Sequence, residues 1–209
     1  MKQLIIAAAI VASVTTFPVT AFAQDVGVKG GANFAKMSGA DDEFVNITQR
    51  LGLVGGVWVR TPVRSPFSFQ VEALLSEKGF KFEDDVEGIA VSGNLRIRYI
   101  EVPLLARVDL GTSGSSPRAY VLAGAAPAFR LGDGQFKVEA DGEEETADFE
   151  EVIGEELKSF DLGLIGAAGV EFGRALVEAR YTHGLMAAGE EDDSPKHRVF
   201  SVMVGFRLR

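Results

Sequence analysis

The 209-residue sequence predicts an all-β fold, an antiparallel up-and-down transmembrane β-barrel of about eight strands. Three observations carry that expectation. Apolar residues recur at every second position in run after run, the period of a strand with one greasy face. Past the first segment no stretch is long and apolar enough for a transmembrane helix. The gaps between runs also alternate, long then short, around the whole chain.

The runs follow in order. Val26, Val28, Gly30, Ala32 and Phe34 oppose Gly27, Lys29, Gly31 and Asn33. Leu51, Leu53, Gly55, Val57 and Val59 oppose Arg50, Gly52, Gly56, Trp58 and Arg60, with Val54 breaking the pattern. Phe67, Phe69, Val71, Ala73 and Leu75 oppose Ser68, Gln70, Glu72 and Ser76. The fourth run, 94 to 110, changes phase: Leu95, Ile97 and Tyr99 hold one parity, and Ile100, Val102, Leu104, Ala106, Val108 and Leu110 the other. A β-bulge near Tyr99 would reconcile them, leaving Glu101, Arg107 and Asp109 on one face.

In the fifth run Ala119, Val121, Ala123, Ala125, Pro127, Phe129 and Leu131 share a face, and Pro127, which has no N–H to donate, predicts a bulge or an unpaired position. The sixth is the most regular, Phe160 to Phe172 with an aromatic at each end. At about 3.3 Å per residue and a tilt near 40°, that span projects to roughly 30 Å, the height of a lipid-facing band between aromatic girdles. The seventh sets Ala175, Val177, Ala179, Tyr181 and Leu185 against Glu178, Arg180, Thr182 and Gly184. The eighth sets Phe200, Val202, Val204, Phe206 and Leu208 against Ser201, Met203, Gly205 and Arg207.

Residues 1–23 carry Lys2, an apolar run from Leu4 to Val14, and Ala21-Phe22-Ala23 before Gln24, the pattern of a cleavable export signal cut ahead of Gln24. Residues 24–209 are then expected to be the barrel domain. The chain has no cysteine, which excludes disulfides, thiolate metal sites and lipid attachment at a cleavage-site thiol. A net charge of −9 argues against a nucleic-acid partner.

The long gaps are 35–49, 82–93, 133–158 and 187–197; the short ones are 61–66, 111–117 and 173–174. Outer-membrane barrels show this asymmetry, with short periplasmic turns and longer external loops. Of the 30 Asp and Glu residues, 22 fall in the long gaps, whereas Arg60, Arg64, Arg118 and Arg174 flank the short ones. The expected orientation therefore has acidic loops outside and a basic periplasmic rim.

The small and polar face reads as the lumen, where buried ions require partners. Glu72, Glu101, Arg107, Asp161, Glu171, Glu178 and Arg180 are the candidate network. Structural ion pairing is its expected role, and a proton or ion path the sharper alternative.

The stretches Gln70 to Lys81 (QVEALLSEKGFK), Tyr99 to Arg107 (YIEVPLLAR) and Phe160 to Phe172 (FDLGLIGAAGVEF) resemble the PorT-like, porin-family outer-membrane β-barrel proteins. The resemblance spans nearly all of residues 24–209. It implies a barrel in the bacterial outer membrane, with outer-membrane lipid, lipopolysaccharide and the assembly machinery as partners. One departure is the end of the chain, Phe206-Arg207-Leu208-Arg209, where such barrels usually place an aromatic residue.

Chemistry is sparse. A nucleophilic triad would have to use His183, at the membrane rim, or His197, in a loop beside Lys196 and Arg198. Neither placement suggests catalysis, so no enzyme, metal site or cofactor is expected. The acidic stretch from Glu139 to Glu156 lacks the spacing of a Ca²⁺ loop and reads as a solvated loop or short amphipathic helix. The function read from the sequence is a structural or passive, porin-like envelope role. The alternatives are a soluble exported barrel holding a small apolar ligand, and an adhesin-like binder acting through its loops.

Overall fold

The computed structural model describes residues 25–38, 46–48, 50–61, 66–86, 89–111, 116–140, 143–148, 159–187 and 196–209. The export signal, its cleavage site and residues 149–158 lie outside them. The elements are β1 (Asp25–Ser38), β2 (Asn46–Thr48), β3 (Arg50–Arg60), β4 (Phe67–Val86), β5 (Ile89–Glu101), β6 (Leu104–Leu110), β7 (Arg118–Ala140), β8 (Glu143–Asp148), β9 (Phe160–Phe172), β10 (Ala175–Ala187) and β11 (Lys196–Arg207).

Eight antiparallel staves close on themselves. The ring runs β1, β3, β4, β5 with β6, β7, β9, β10, β11 and back to β1. The closing seam pairs β1 with β11 over twelve positions, from Gly27↔Arg207 to Ser38↔Lys196. Closure removes the sheet edges that an open antiparallel sheet would leave exposed.

The period-two pattern explains the sidedness. Val57, Leu75, Val121, Leu164, Val177, Val202 and Val204 stand exposed on the outer wall, while their neighbours Trp58, Leu74, Tyr120, Ile165, Leu176 and Met203 are buried inside. Aromatics bound this outer band. Phe67, Phe69, Phe172 and Phe206 lie toward the short-turn end, and Phe34, Phe129, Phe160, Tyr181 and Phe200 toward the other. Phe34 meets Phe200 at 6.4 Å between ring centroids and Phe129 meets Phe160 at 5.3 Å.

Several expectations are corrected. No phase change occurs at Tyr99: Leu95, Ile97 and Tyr99 face inward with Glu101, Leu105, Arg107 and Asp109, all at one parity. The three apolar residues pack inside the barrel, where an apolar side chain is as well accommodated as on the lipid face. The break in this stave falls instead at Val102-Pro103, between β5 and β6. Pro127 stays in register, opposite Leu162, and its carbonyl accepts from the Val102 N–H at 2.9 Å. Its missing donor faces the interrupted stretch of the neighbouring stave. The irregularity of β7 lies further on, where Arg96 pairs Gln135 but Arg98 pairs Leu131.

The long gaps also contain strand. Pairing of β4 with β5 continues to Val86↔Ile89, and β7 continues to Ala140, where it turns into β8 through Ala140↔Glu143. Residues 143–148, expected as loop or helix, therefore form a strand edge. The sequence of β8, EEETAD, holds no alternation of apolar and polar residues to read.

Candidate functional site

The candidate site is the barrel interior. All seven sequence-designated residues lie there, each at most 7% exposed. They fall into three tiers along the barrel axis, completed by cations and carboxylates not in the original set.

The middle tier joins β1, β4 and β10. Lys29 Nζ lies 2.6 Å from Glu72 Oε1 and 3.1 Å from Glu178 Oε1. Arg180 Nη2 lies 2.7 Å from Glu178 Oε1 and 2.9 Å from Glu72 Oε2. Two cations and two carboxylates thus form a ring in which each ion touches both opposite charges. Gln70 donates to Glu72 at 2.7 Å, and the Tyr120 hydroxyl to Glu178 at 3.1 Å. These side chains meet because each occupies an inward position, and because glycine faces the two large aromatics. A Cβ on Gly27 would collide with the Trp58 ring, and one on Gly169 with the Tyr120 ring.

The tier nearest the short turns gathers arginines around Glu171. Arg60 Nη1 and Arg107 Nη2 reach Glu171 Oε1 at 2.9 and 2.8 Å, and Arg118 Nη2 reaches Oε2 at 2.6 Å. Asp109 holds Arg107 at 2.7 Å, while Asp25 holds Arg60 at 2.6 Å and Arg207 at 3.3 Å. Arg60 and Arg118, expected on a basic rim, are turned inward, because the carboxylates of Asp25 and Glu171 offer them charge partners there. The Arg107 guanidinium stacks 3.7 Å from the Tyr120 ring centroid, linking this tier to the middle one.

The third tier lies toward the ribbons. Lys78 Nζ sits 2.8 Å from Glu101 Oε1 and 3.5 Å from Asp161 Oδ2, and 4.9 Å from the Tyr99 ring centroid. His197, expected in a loop, is instead 2% exposed in β11, edge-on to Tyr99 at 6.1 Å. Between this tier and the middle one, Asn33 donates to Ser76 at 2.9 Å and accepts from Ser201 at 2.7 Å.

Apolar packing fills the remaining space. One cluster contains Val54, Leu74 and Met203; another contains Leu105, Tyr120, Leu122, Ala126 and Ile165. Such an interior is a core, held by desolvated ion pairs as well as by apolar contact. Among the described residues no group of three or more His, Asp or Glu side chains is arranged to hold a metal ion.

The charged residues that the candidate network lacked are Asp25, Lys29, Arg60, Lys78, Asp109, Arg118 and Arg207. Lys29 and Arg60 already stood at inward parity, so parity was the available signal. Lys78 lies two residues past the point where the third apolar run stops.

A family model for the outer membrane protein beta-barrel domain matches residues 22–188. The chain belongs to this family. Its exposed apolar band is accordingly the surface that faces lipid, and the barrel is an outer-membrane protein. Solved structures resemble it at low identity. They include Ail of Yersinia pestis (14% identity, 88% of this chain and 98% of that one, TM-score 0.41) and OprG of Pseudomonas aeruginosa (15%, 90% and 97%, 0.48). Neisserial surface protein A gives 13%, 87% and 96%, with a TM-score of 0.47. Comparison with curated protein sequences gave no match.

Proposed function

We propose that this protein is a structural outer-membrane barrel that does not conduct. It anchors the β4–β5 and β7–β8 ribbons beyond the membrane surface, and it is made with residues 1–23 as an export signal removed ahead of Gln24. The observation that carries the reading is the interior, where paired ions and two apolar clusters occupy the lumen along its length. A solute path needs a continuous wet channel, and opening one here would require separating desolvated ion pairs. Within the family, the stretches from Gln70 to Lys81 and Tyr99 to Arg107 support a PorT-like affiliation. The same reading makes outer-membrane lipid, lipopolysaccharide and the assembly machinery its partners and assigns it no enzymatic step.

The test is conductance across a planar lipid bilayer containing the purified, heat-modifiable barrel. The expected record is flat at the level of bilayer without protein. Stepwise openings of defined size would overturn the reading and restore a porin-like role. A second reading, a loop-mediated binder, rests on ribbon length: β4 continues nine residues past Glu77 to Val86, roughly 30 Å of strand beyond the outer girdle.

A further inference from the structure

The outer wall carries a groove of about 570 Å³, lined by Leu53, Gly55, Leu75, Glu77, Arg98 and Leu131. Its cause is a fault between two staves. The β3–β4 register stops at Val54↔Ser76 and resumes, shifted by one residue, at Thr48↔Lys81. Over the fault, the Glu77 carbonyl accepts a hydrogen bond from the Asn33 side chain at 3.1 Å.

The groove has an apolar body and a charged head. Leu53 and Leu75 are 66% and 62% exposed, and Gly55 contributes no side chain to the floor. At the upper end, Glu77 pairs with Arg96 at 2.7 Å, while Arg98 lies 3.6 Å from the same carboxylate with its side chain 55% exposed. Two cations against one carboxylate leave a net positive charge. Arg98 pairs with Leu131, two residues beyond the Ile100↔Phe129 pair, so it stands one step above the aromatic girdle, at headgroup depth.

We propose that this groove binds one acyl lipid bearing a phosphate monoester or diester. An acyl chain lies along Leu53, Gly55 and Leu75, and the phosphate is held by Arg98. The occupant follows from position: this face borders lipid rather than water or protein, and a guanidinium at headgroup depth is a fork for phosphate oxygens. The proposal rests on the lipid-facing assignment of the outer wall and holds whether or not the lumen conducts.

Native mass spectrometry of the full barrel, released from detergent, tests it with three probes: phosphatidic acid, the matching diacylglycerol, and inorganic phosphate. A single retained phosphatidic acid is expected, with diacylglycerol at least tenfold weaker and inorganic phosphate unbound. R98Q, at an exposed position, should weaken phosphatidic acid about tenfold, the loss of one charge-assisted hydrogen bond. G55F should weaken it as well, by occupying the acyl slot, with the heat-modifiable band confirming that the barrel has folded. Equal retention of phosphatidic acid and diacylglycerol would overturn the proposal, as would retention of inorganic phosphate alone or undiminished binding by R98Q. These outcomes are independent of the bilayer record, which reports only on the lumen.

Discussion

Lys29 and Glu72 stand 43 residues apart in sequence, on strands separated by β3, and meet at 2.6 Å inside the barrel. The contact reaches over β3 rather than along one hairpin, so it forms only when β1, β3 and β4 are in register. Glu178 and Arg180 complete the same four-membered ring from β10. Ion pairs of this kind fix which strands may close on which, because a wrong register would strand a charge in a dry interior.

The first prediction follows. Glu72→Gln leaves Lys29 and Arg180 sharing Glu178 alone, and should lower stability by about 3–5 kcal/mol, the usual cost of removing one partner from a buried pair. Urea unfolding in lipid vesicles, followed by the heat-modifiable band, measures it. The double variant K29M/E72M should lose much less than the sum of its two single variants, since no unpaired charge remains from that contact. Additive losses would show that the two residues do not act as a pair.

Trp58 gives a second handle, because it is the chain's one tryptophan and lies over Gly27, its direct cross-strand partner. Gly27→Ala places a methyl group against both the indole ring and the Phe206 carbonyl oxygen. The ring must move, and with it Arg60, whose guanidinium lies 5.6 Å from the Trp58 centroid. Overpacking of this kind costs about 1–3 kcal/mol. Trp58 emission should shift to the red as the ring leaves its dry site, alongside a lower urea midpoint; an unchanged spectrum would rule out the packing described.

The eight staves were legible because lipid and lumen impose opposite demands on alternate residues, and the stretch from Phe160 to Phe172 shows both without interruption. Where one demand lapses, the pattern lapses with it. Leu95, Ile97 and Tyr99 are apolar side chains inside the barrel, so hydropathy alone suggested a phase change that the backbone does not make. Strand beyond the girdle, such as β8 with its sequence EEETAD, has no apolar period to read. In the lumen, parity marked which charges point inward, yet the partners were hidden. Whether Lys78 reaches Glu101 or Glu72 depends on strand stagger around the ring, which no single strand encodes. His197 was misplaced for a related reason: flanked by Lys196 and Arg198, it looked like loop, although alternation put it at the same inward parity as Val199 and Ser201.

The outer face offers the third prediction, which turns on depth. Val202 lies between the Phe200 and Phe206 girdles, flanked on the neighbouring strands by Ala32 and Ala179, so an arginine there leaves the strand into hydrocarbon and must bend past Phe200 to reach headgroups. Leu208 lies past Phe206 at the short-turn end, where a cation meets headgroups and water. Val202→Arg should therefore cost about 2 kcal/mol and Leu208→Arg less than about 1 kcal/mol. Paired urea titrations in phosphatidylcholine vesicles compare them directly. If the apolar band were covered by water or by a soluble partner, the two substitutions would cost alike, because neither position would then be deeper in hydrocarbon than the other.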